Sequence, residues 1–143
     1  MKLTDSDKAA NNSLITERNQ LYMHMNLTDI IAIAEGTVLT AELETSLNIH
    51  GACCADLMSD VLAYSRPRAV LITGLTNPQV VRTAQMADFR AIIFVRGKHP
   101  QQETMEIAVQ ENIPLISSPL GMFELSGRLH DAGLKSYENN GAD

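Results

Sequence analysis

The sequence predicts an α/β layered domain around a mostly parallel sheet of about five strands. Two observations carry this expectation. Residues 69–73 (AVLIT) and 91–95 (AIIFV) are apolar at every position, which suits strands covered on both faces, as in parallel sheets. Strand-like and helix-like stretches also alternate along the chain, the pattern that layers helices over a sheet. The clearest unit is residues 69–97, read as strand, tight turn, helix, strand. Gly74 allows a sharp exit from the first strand. Asn77 followed by Pro78 supplies a capping side chain and then proline at the first helical position. Val80, Val81, Ala84 and Ala87 give that helix an apolar stripe. A crossover of this kind is right-handed.

The remaining elements follow in order. Residues 1–24 are polar with little apolar periodicity and are expected to form an extension with a short helix around 14–22, so that the domain starts near Met25. Asn26 or Thr28 caps a helix running to about Glu35, with Ile30, Ile31, Ile33 and Ala34 toward a core and Gly36 ending it. Residues 37–40 are a short strand and 41–47 a polar connection. Residues 48–54 (NIHGACC) form a second strand in which Gly51 marks a bulge or a close backbone approach. Asp56 caps a helix over 57–64, stopped by Ser65-Arg66-Pro67. A helix over about 101–111 turns Met105, Ile107, Ala108 and Ile113 inward and Glu103, Glu106 and Glu111 outward. Residues 114–118 are a final strand. Ser118-Pro119 opens a last helix carrying Met122, Phe123, Leu125 and Leu129, with Gly133 just past its end. Residues 25–135 are thus the domain and 136–143 a frayed polar tail.

Composition narrows the function classes. The chain has 143 residues, a formal net charge of −6 and no Trp. One domain is expected, burying roughly 68–70% of its unfolded surface. The acidic balance, without a basic patch interleaved with aromatics, argues against a nucleic-acid partner. No apolar run approaches the roughly 20 residues of a membrane span, and the start lacks a signal-peptide core, so a cytoplasmic protein without a membrane partner is expected. Cys53 and Cys54 are adjacent. A disulfide between neighbours closes a strained ring that constrains almost nothing. They read as small buried or half-buried fillers; a redox or metal role is the alternative, and no further ligands stand at a recognisable metal spacing.

Residues 51–134 resemble a known family. The stretches ADLMSDVLA, the LITG turn, AIIFVRGKHP and IPLISSPLGMFELSGRL are similar to DRTGG domains, in particular to stand-alone DRTGG proteins and to the N-terminal domain of HPr serine kinases. The resemblance extends over about residues 26–134. It implies an α/β/α sandwich that often dimerises and serves as a regulatory module beside pairs of CBS domains, in phosphotransacetylases and in some pyrophosphatases. Stand-alone members also occur in the gene neighbourhoods of iron-only hydrogenases, and the domain has no established catalytic activity. One departure stands out. Many members follow the central strand with a Gly-Asp-Arg-like turn, whereas this chain has Gly74, Leu75, Thr76 and Asn77. The charged pair is absent, which puts in doubt any ligand role of that turn. No G-x-x-x-x-G-K-[ST] phosphate loop occurs.

The candidate chemistry concentrates at one place. In open α/β sheets, ligands bind outside the carboxyl ends of the strands, where helix N-termini present free N–H groups. That edge collects Thr73, Gly74, Thr76, Asn77, Arg96, Lys98, Ser117 and Ser118. Their neutral hydrogen-bonding groups, with two cations, suit a small anionic or nucleotide ligand. The plainer reading, which these residues taken alone favour, makes Asn77 and Ser118 helix caps and Arg96 and Lys98 ordinary loop charges. Asp56 and Asp60, four apart on one helix face, read as a cap and a solvated partner rather than an acid or metal pair. His50 beside the cysteines, and His24, His99 and His130, have no partner assignable from spacing. No G-x-S-x-G elbow is present, and no Ser or Cys has a His placed as its base. The expectation is a non-catalytic regulatory or ligand-sensing module without cofactor or metal, a homodimer acting on a partner enzyme. The alternative is a scaffold or accessory protein for a redox enzyme such as an iron-only hydrogenase, working through contacts made by apolar surface on helices bearing Met58, Met105 and Met122.

Overall fold

The computed structural model describes residues 4–6 and 24–138. The expected helix at 14–22 and the end of the chain beyond 138 lie outside the described residues. The elements are β1 Met25–Asn26, α1 Leu27–Ile33, β2 Thr37–Val38, β3 Asn48–Ile49 and β4 Gly51–Cys54. They continue with α2 Met58–Tyr64, β5 Ala69–Thr73, α3 Pro78–Met86, β6 Ala91–Phe94, α4 Gln102–Gln110, β7 Leu115–Ser117 and α5 Met122–Asp131. Five strands form one sheet in the order β2-β7-β6-β5-β4, while β1 and β3 pair separately. β4, β5, β6 and β7 are parallel, and β2 runs antiparallel along the β7 edge. This is the expected mostly parallel five-stranded sheet between helices.

The apolar strands are covered on both faces. Every residue of β5 and β6 is buried. Val70, Ile72, Ala91 and Ile93 pack under α1 and α5 with Leu27, Ile30, Leu125 and Leu129. Ala69, Leu71, Ile92 and Phe94 face α2, α3 and α4 with Val61, Val80, Val81 and Ala108. Each fully buried Leu, Ile or Phe side chain contributes about 1.5–3 kcal/mol, so the two-sided sheet is the main source of stability.

Local geometry departs from expectation where distant residues intervene. Helix α1 is capped by Asn26, whose side chain accepts from the Thr28 amide at 2.9 Å, but the left-handed residue that ends it is Glu35 (φ 53°), not Gly36. Gly36 is needed one position later, because a Cβ there would stand 2.7 Å from the Ile116 side chain. Residues 48–54 are two strands in two sheets: β3 pairs with β1, and only β4 enters the main sheet. Asp56 does not cap α2; Leu57 occupies the N-cap without a side-chain bond, since the Asp56 carboxylate turns to β5. Helix α5 starts after Gly121 rather than at Ser118. The Ser118 hydroxyl donates to the Ala34 carbonyl at 2.7 Å and accepts from the Leu120 amide at 3.2 Å, which bends the chain at Pro119 and Leu120 before the helix begins. Phe123 does not join the core; it is 93% exposed.

The first residues of the expected tail are part of the sheet's border. Ser136 bridges Ala52 in parallel and Glu138 bridges Ser65 antiparallel. The Ala52 amide donates to the Lys135 carbonyl, the Tyr137 amide to the Ala52 carbonyl and the Arg66 amide to the Tyr137 carbonyl, at 2.9, 2.8 and 3.1 Å. This strap covers the open hydrogen-bonding edge of β4, which would otherwise be free to pair with another chain.

Candidate functional site

The four parallel strands end together, because their register sets Cys54 beside Ile72, Thr73 beside Phe94 and Phe94 beside Ser117. Their last residues and the loops that follow hold all eight candidate residues. Thr73 is fully buried; its hydroxyl donates to Asp56 Oδ1 at 2.9 Å and accepts from the Leu75 amide at 3.2 Å. The same Asp56 oxygen accepts from the Gly74 amide at 2.7 Å. The turn's first N–H is therefore engaged by an internal carboxylate, which fills the place an anion would seek. Lys98 Nζ donates to the Gly74 carbonyl at 3.1 Å. The φ of Gly74 is not positive, so the turn itself does not call for glycine, and a Cβ there would lie 3.2 Å from Nζ, a tight contact that the flexible Lys98 side chain can relieve.

The other candidates divide into those that build loops and those that face outward. The Thr76 carbonyl accepts from Thr104 Oγ1 at 2.8 Å and the Gln101 amide at 3.3 Å. Asn77 occupies the N-cap of α3 but makes no capping bond, and its buried Oδ1 has no partner among the described residues. Ser117 donates to the Lys98 carbonyl at 2.9 Å. The Arg96 and Gly97 amides donate to the Leu120 and Ser118 carbonyls at 2.8 and 2.7 Å, stitching the β6 loop to the β7 loop. Arg96 itself is exposed, and its backbone is left-handed at φ 59°, followed by Gly97 at φ 66°. It borders an open groove of about 670 Å³ formed with Gly121, Met122, Phe123 and Glu124 at the start of α5. Thr73, Ser117 and Ser118 thus hold the loops in place, while Arg96 and Lys98 bring positive charge to the edge.

Asp56 is the residue whose role the sequence left unread. Asp56→Ala removes the acceptor for a buried hydroxyl and a backbone amide, and a buried donor left unpaired costs about 1–3 kcal/mol. The expected result is a loss of about 1–2 kcal/mol in urea unfolding, with Asp56→Asn, which keeps an acceptor oxygen, close to wild type.

A second cavity, of about 350 Å³, lies around the corner between β4, α5 and the strap. Cys54 opens onto it with Sγ 3.1 Å from Ser126 Oγ, and the Cys54 amide donates to Glu138 Oε1 at 2.9 Å. Cys53 points to the opposite face of the sheet, into the α2 core. Both thiols are free, consistent with fillers. Burial, reinforced by the Glu138 carboxylate, pushes Cys53 from 9.0 up to about 12. Burial also raises Cys54, against a lowering contribution from Ser126. Neither is a thiolate near neutrality, so neither is an activated nucleophile. Below pH 9 the folded and unfolded chains both hold the Cys53 proton. Between about 9 and 12 only the folded chain keeps it, so the stability it contributes is lost as pH rises through that window. Urea midpoints are expected to fall from about pH 9 upward, and to fall less in Cys53→Ala. His50 has the opposite sense: burial, then Arg68, Arg90 and His24, lowers it below 6.5, so its contribution is present above 6.5 and lost on acidification.

Among the described residues no group of three or more His, Cys, Asp or Glu could hold a metal ion, and no helix is long and apolar enough to cross a membrane.

The DRTGG domain model matches residues 29–132, which is most of the chain. The chain belongs to the DRTGG domain family. None of the curated proteins compared matches it. A solved structure similar to it holds the CBS and DRTGG domains of the regulatory region of the Clostridium perfringens pyrophosphatase, complexed with its activator diadenosine tetraphosphate. The two are 17% identical, with a TM-score of 0.59, over 73% of this chain and 45% of that one. The likeness therefore concerns the fold, and less than half of the neighbour's length. As a DRTGG domain this chain lacks an acid-arginine pair after Gly74, and in the fold that turn is closed instead by Asp56 and Lys98.

Proposed function

We propose that this protein is a non-catalytic, self-associating regulatory module of the cytosol that senses a small anionic or nucleotide ligand and acts on a partner enzyme. The observation that carries the reading is Arg96: an exposed guanidinium on a left-handed backbone, where glycine would be less strained, at the mouth of a groove beside the α5 N-terminus. Arg96 and Lys98 meet the ligand in this reading. Thr73, Gly74, Thr76, Asn77, Ser117 and Ser118 shape the loops that present them. The neighbouring regulatory region, solved with a nucleotide activator, supports the ligand class. The protonated cysteines, and serine hydroxyls bonded to backbone carbonyls, support a role other than catalysis. Thermal-shift screening against adenine nucleotides, inorganic phosphate and pyrophosphate tests it: a rise in melting temperature with at least one is expected, and none with any would refute the small-ligand reading.

A contact-only scaffold is the second reading, favoured by the exposed Phe123, Met86 and Leu57. Met58, Met105 and Met122, by contrast, are half-buried. A stable complex recovered from native cytosol, insensitive to Phe123→Ala and to nucleotides alike, would leave neither reading of this surface standing.

A further inference from the structure

The cavity between β4, α5 and the strap has properties that the anion site alone does not use. Its floor and wall are apolar, from Ala52, Ile72, Leu129 and Leu134. Its volume, about 350 Å³, is near the lower end of ligand pockets, roughly 300–1,000 Å³, so it suits a compact ring system. Polar groups converge at one side: Ser126 Oγ, paired with Cys54, and the Glu138 carboxylate, oriented by the Cys54 amide. A carboxylate accepts hydrogen bonds only, and of the roughly four lone-pair sites it offers, the Cys54 amide and the Cys53 thiol take two.

Gly127 adds an independent observation. It lies inside α5, where glycine is about 1 kcal/mol less favourable than alanine. Its φ is not positive and a Cβ there would meet nothing within 4 Å. Neither packing nor backbone conformation calls for glycine at this place; its consequence is that no side chain enters the cavity it lines. Phe123 and Ser126 line both this cavity and the groove at Arg96, so the two spaces adjoin at an aromatic ring that is almost fully exposed.

We propose that the cavity binds an amino-substituted purine, its apolar faces against Ala52, Leu134 and the Phe123 ring and its N–H donors on Glu138. The anionic end of the same nucleotide then reaches Arg96; only that half rests on the function proposed above. Stacking on an exposed aromatic tolerates any base, whereas the carboxylate selects bases that donate.

Calorimetry on the full chain tests this with adenosine, guanosine, purine riboside, AMP and inorganic phosphate. Adenosine or guanosine is expected to bind, and purine riboside, which lacks the amino group, at least tenfold more weakly. Gly127→Leu is expected to lower nucleoside affinity at least tenfold without lowering the melting temperature. Arg96→Gly is expected to weaken AMP and leave adenosine unchanged. If phosphate or AMP binds but neither nucleoside does, or if purine riboside binds as well as adenosine, the purine pocket is overturned while the anion site stands. If nucleosides bind as expected but AMP gains nothing over adenosine and Arg96→Gly changes neither, the pocket stands and the anion site fails. The wild-type comparison of adenosine with purine riboside decides the matter even where a variant folds poorly.

Discussion

Replacing Arg96 by glycine is expected to make the domain more stable and to cost it ten- to a hundredfold in affinity for an anionic ligand. The two effects come from one position. At φ 59° the Arg96 backbone occupies the left-handed region, where a side chain with a Cβ is disfavoured by roughly 1 kcal/mol or more relative to glycine. Its amide bond to Leu120 does not depend on the side chain and survives the change. Unfolding in urea is therefore expected to shift upward by about 0.5–1 kcal/mol. The guanidinium is exposed beside the groove at the α5 N-terminus, and a hydrogen bond to a charged group is worth about 1.5–3 kcal/mol, or one to two decades in a dissociation constant. Calorimetry with phosphate or AMP measures the loss. An unchanged affinity would remove Arg96 from the ligand site, and a destabilised variant would mean that its side chain is structural.

Gly51→Val is expected to destabilise the fold by about 3 kcal/mol and to release the strap over residues 135–138. A Cβ on Gly51 would stand 2.5 Å from Tyr137 Cβ and 2.6 Å from its Cγ. These atoms cannot swing aside, because the Tyr137 amide and carbonyl are both bonded, to Ala52 and to the Arg66 amide. Overpacking at such a site costs about 1–3 kcal/mol, and moving the strap also breaks its bonds to Ala52, Arg66 and the Cys54 amide. Urea unfolding measures the loss, and hydrogen exchange at the Ala52, Cys54 and Tyr137 amides reports the release. Tyr137→Gly removes the colliding atoms, so the Gly51→Val/Tyr137→Gly pair should be less destabilised than the sum of its parts. Strict additivity would show that the contact does not constrain the strap. The β4 edge uncovered in this variant is an unpaired strand edge, and faster aggregation is the accompanying expectation.

Much of the candidate edge was legible before any coordinates. Thr73, Gly74, Thr76, Asn77, Arg96, Lys98, Ser117 and Ser118 were gathered by a single rule, that the ends of parallel strands and the loops after them share one edge, and the register of β5, β6 and β7 places them there. Their division of labour was not legible. Nothing near Asp56 in the sequence says that it serves β5 rather than its own helix, since its partners lie 17 and 18 positions away. Nothing near Ser118 says that its hydroxyl seeks Ala34, 84 positions back. Phe123 reads as one more apolar residue of an apolar stripe, and only the packing of α5 through Leu125 and Leu129 shows that Phe123 faces solvent.

The same contrast separates what this sequence determined alone from what needed the tertiary structure. Strand and helix identities came from local pattern: β5 and β6 are apolar at every position but Thr73 because helices cover both faces, and the α3 stripe repeats with the helical period. From these, the parallel sheet and its layers follow. The tertiary structure decided the uses of polar groups and glycines. Residues 136–138 look like a tail by composition, yet they border the sheet, because their partners Ala52, Cys54 and Ser65 stand more than 70 positions earlier. Gly36 and Gly51 are glycine because Ile116 and Tyr137 pass close by. A backbone hydrogen bond or a close approach depends on what the fold brings near, and residues distant in sequence leave no periodic trace of that meeting.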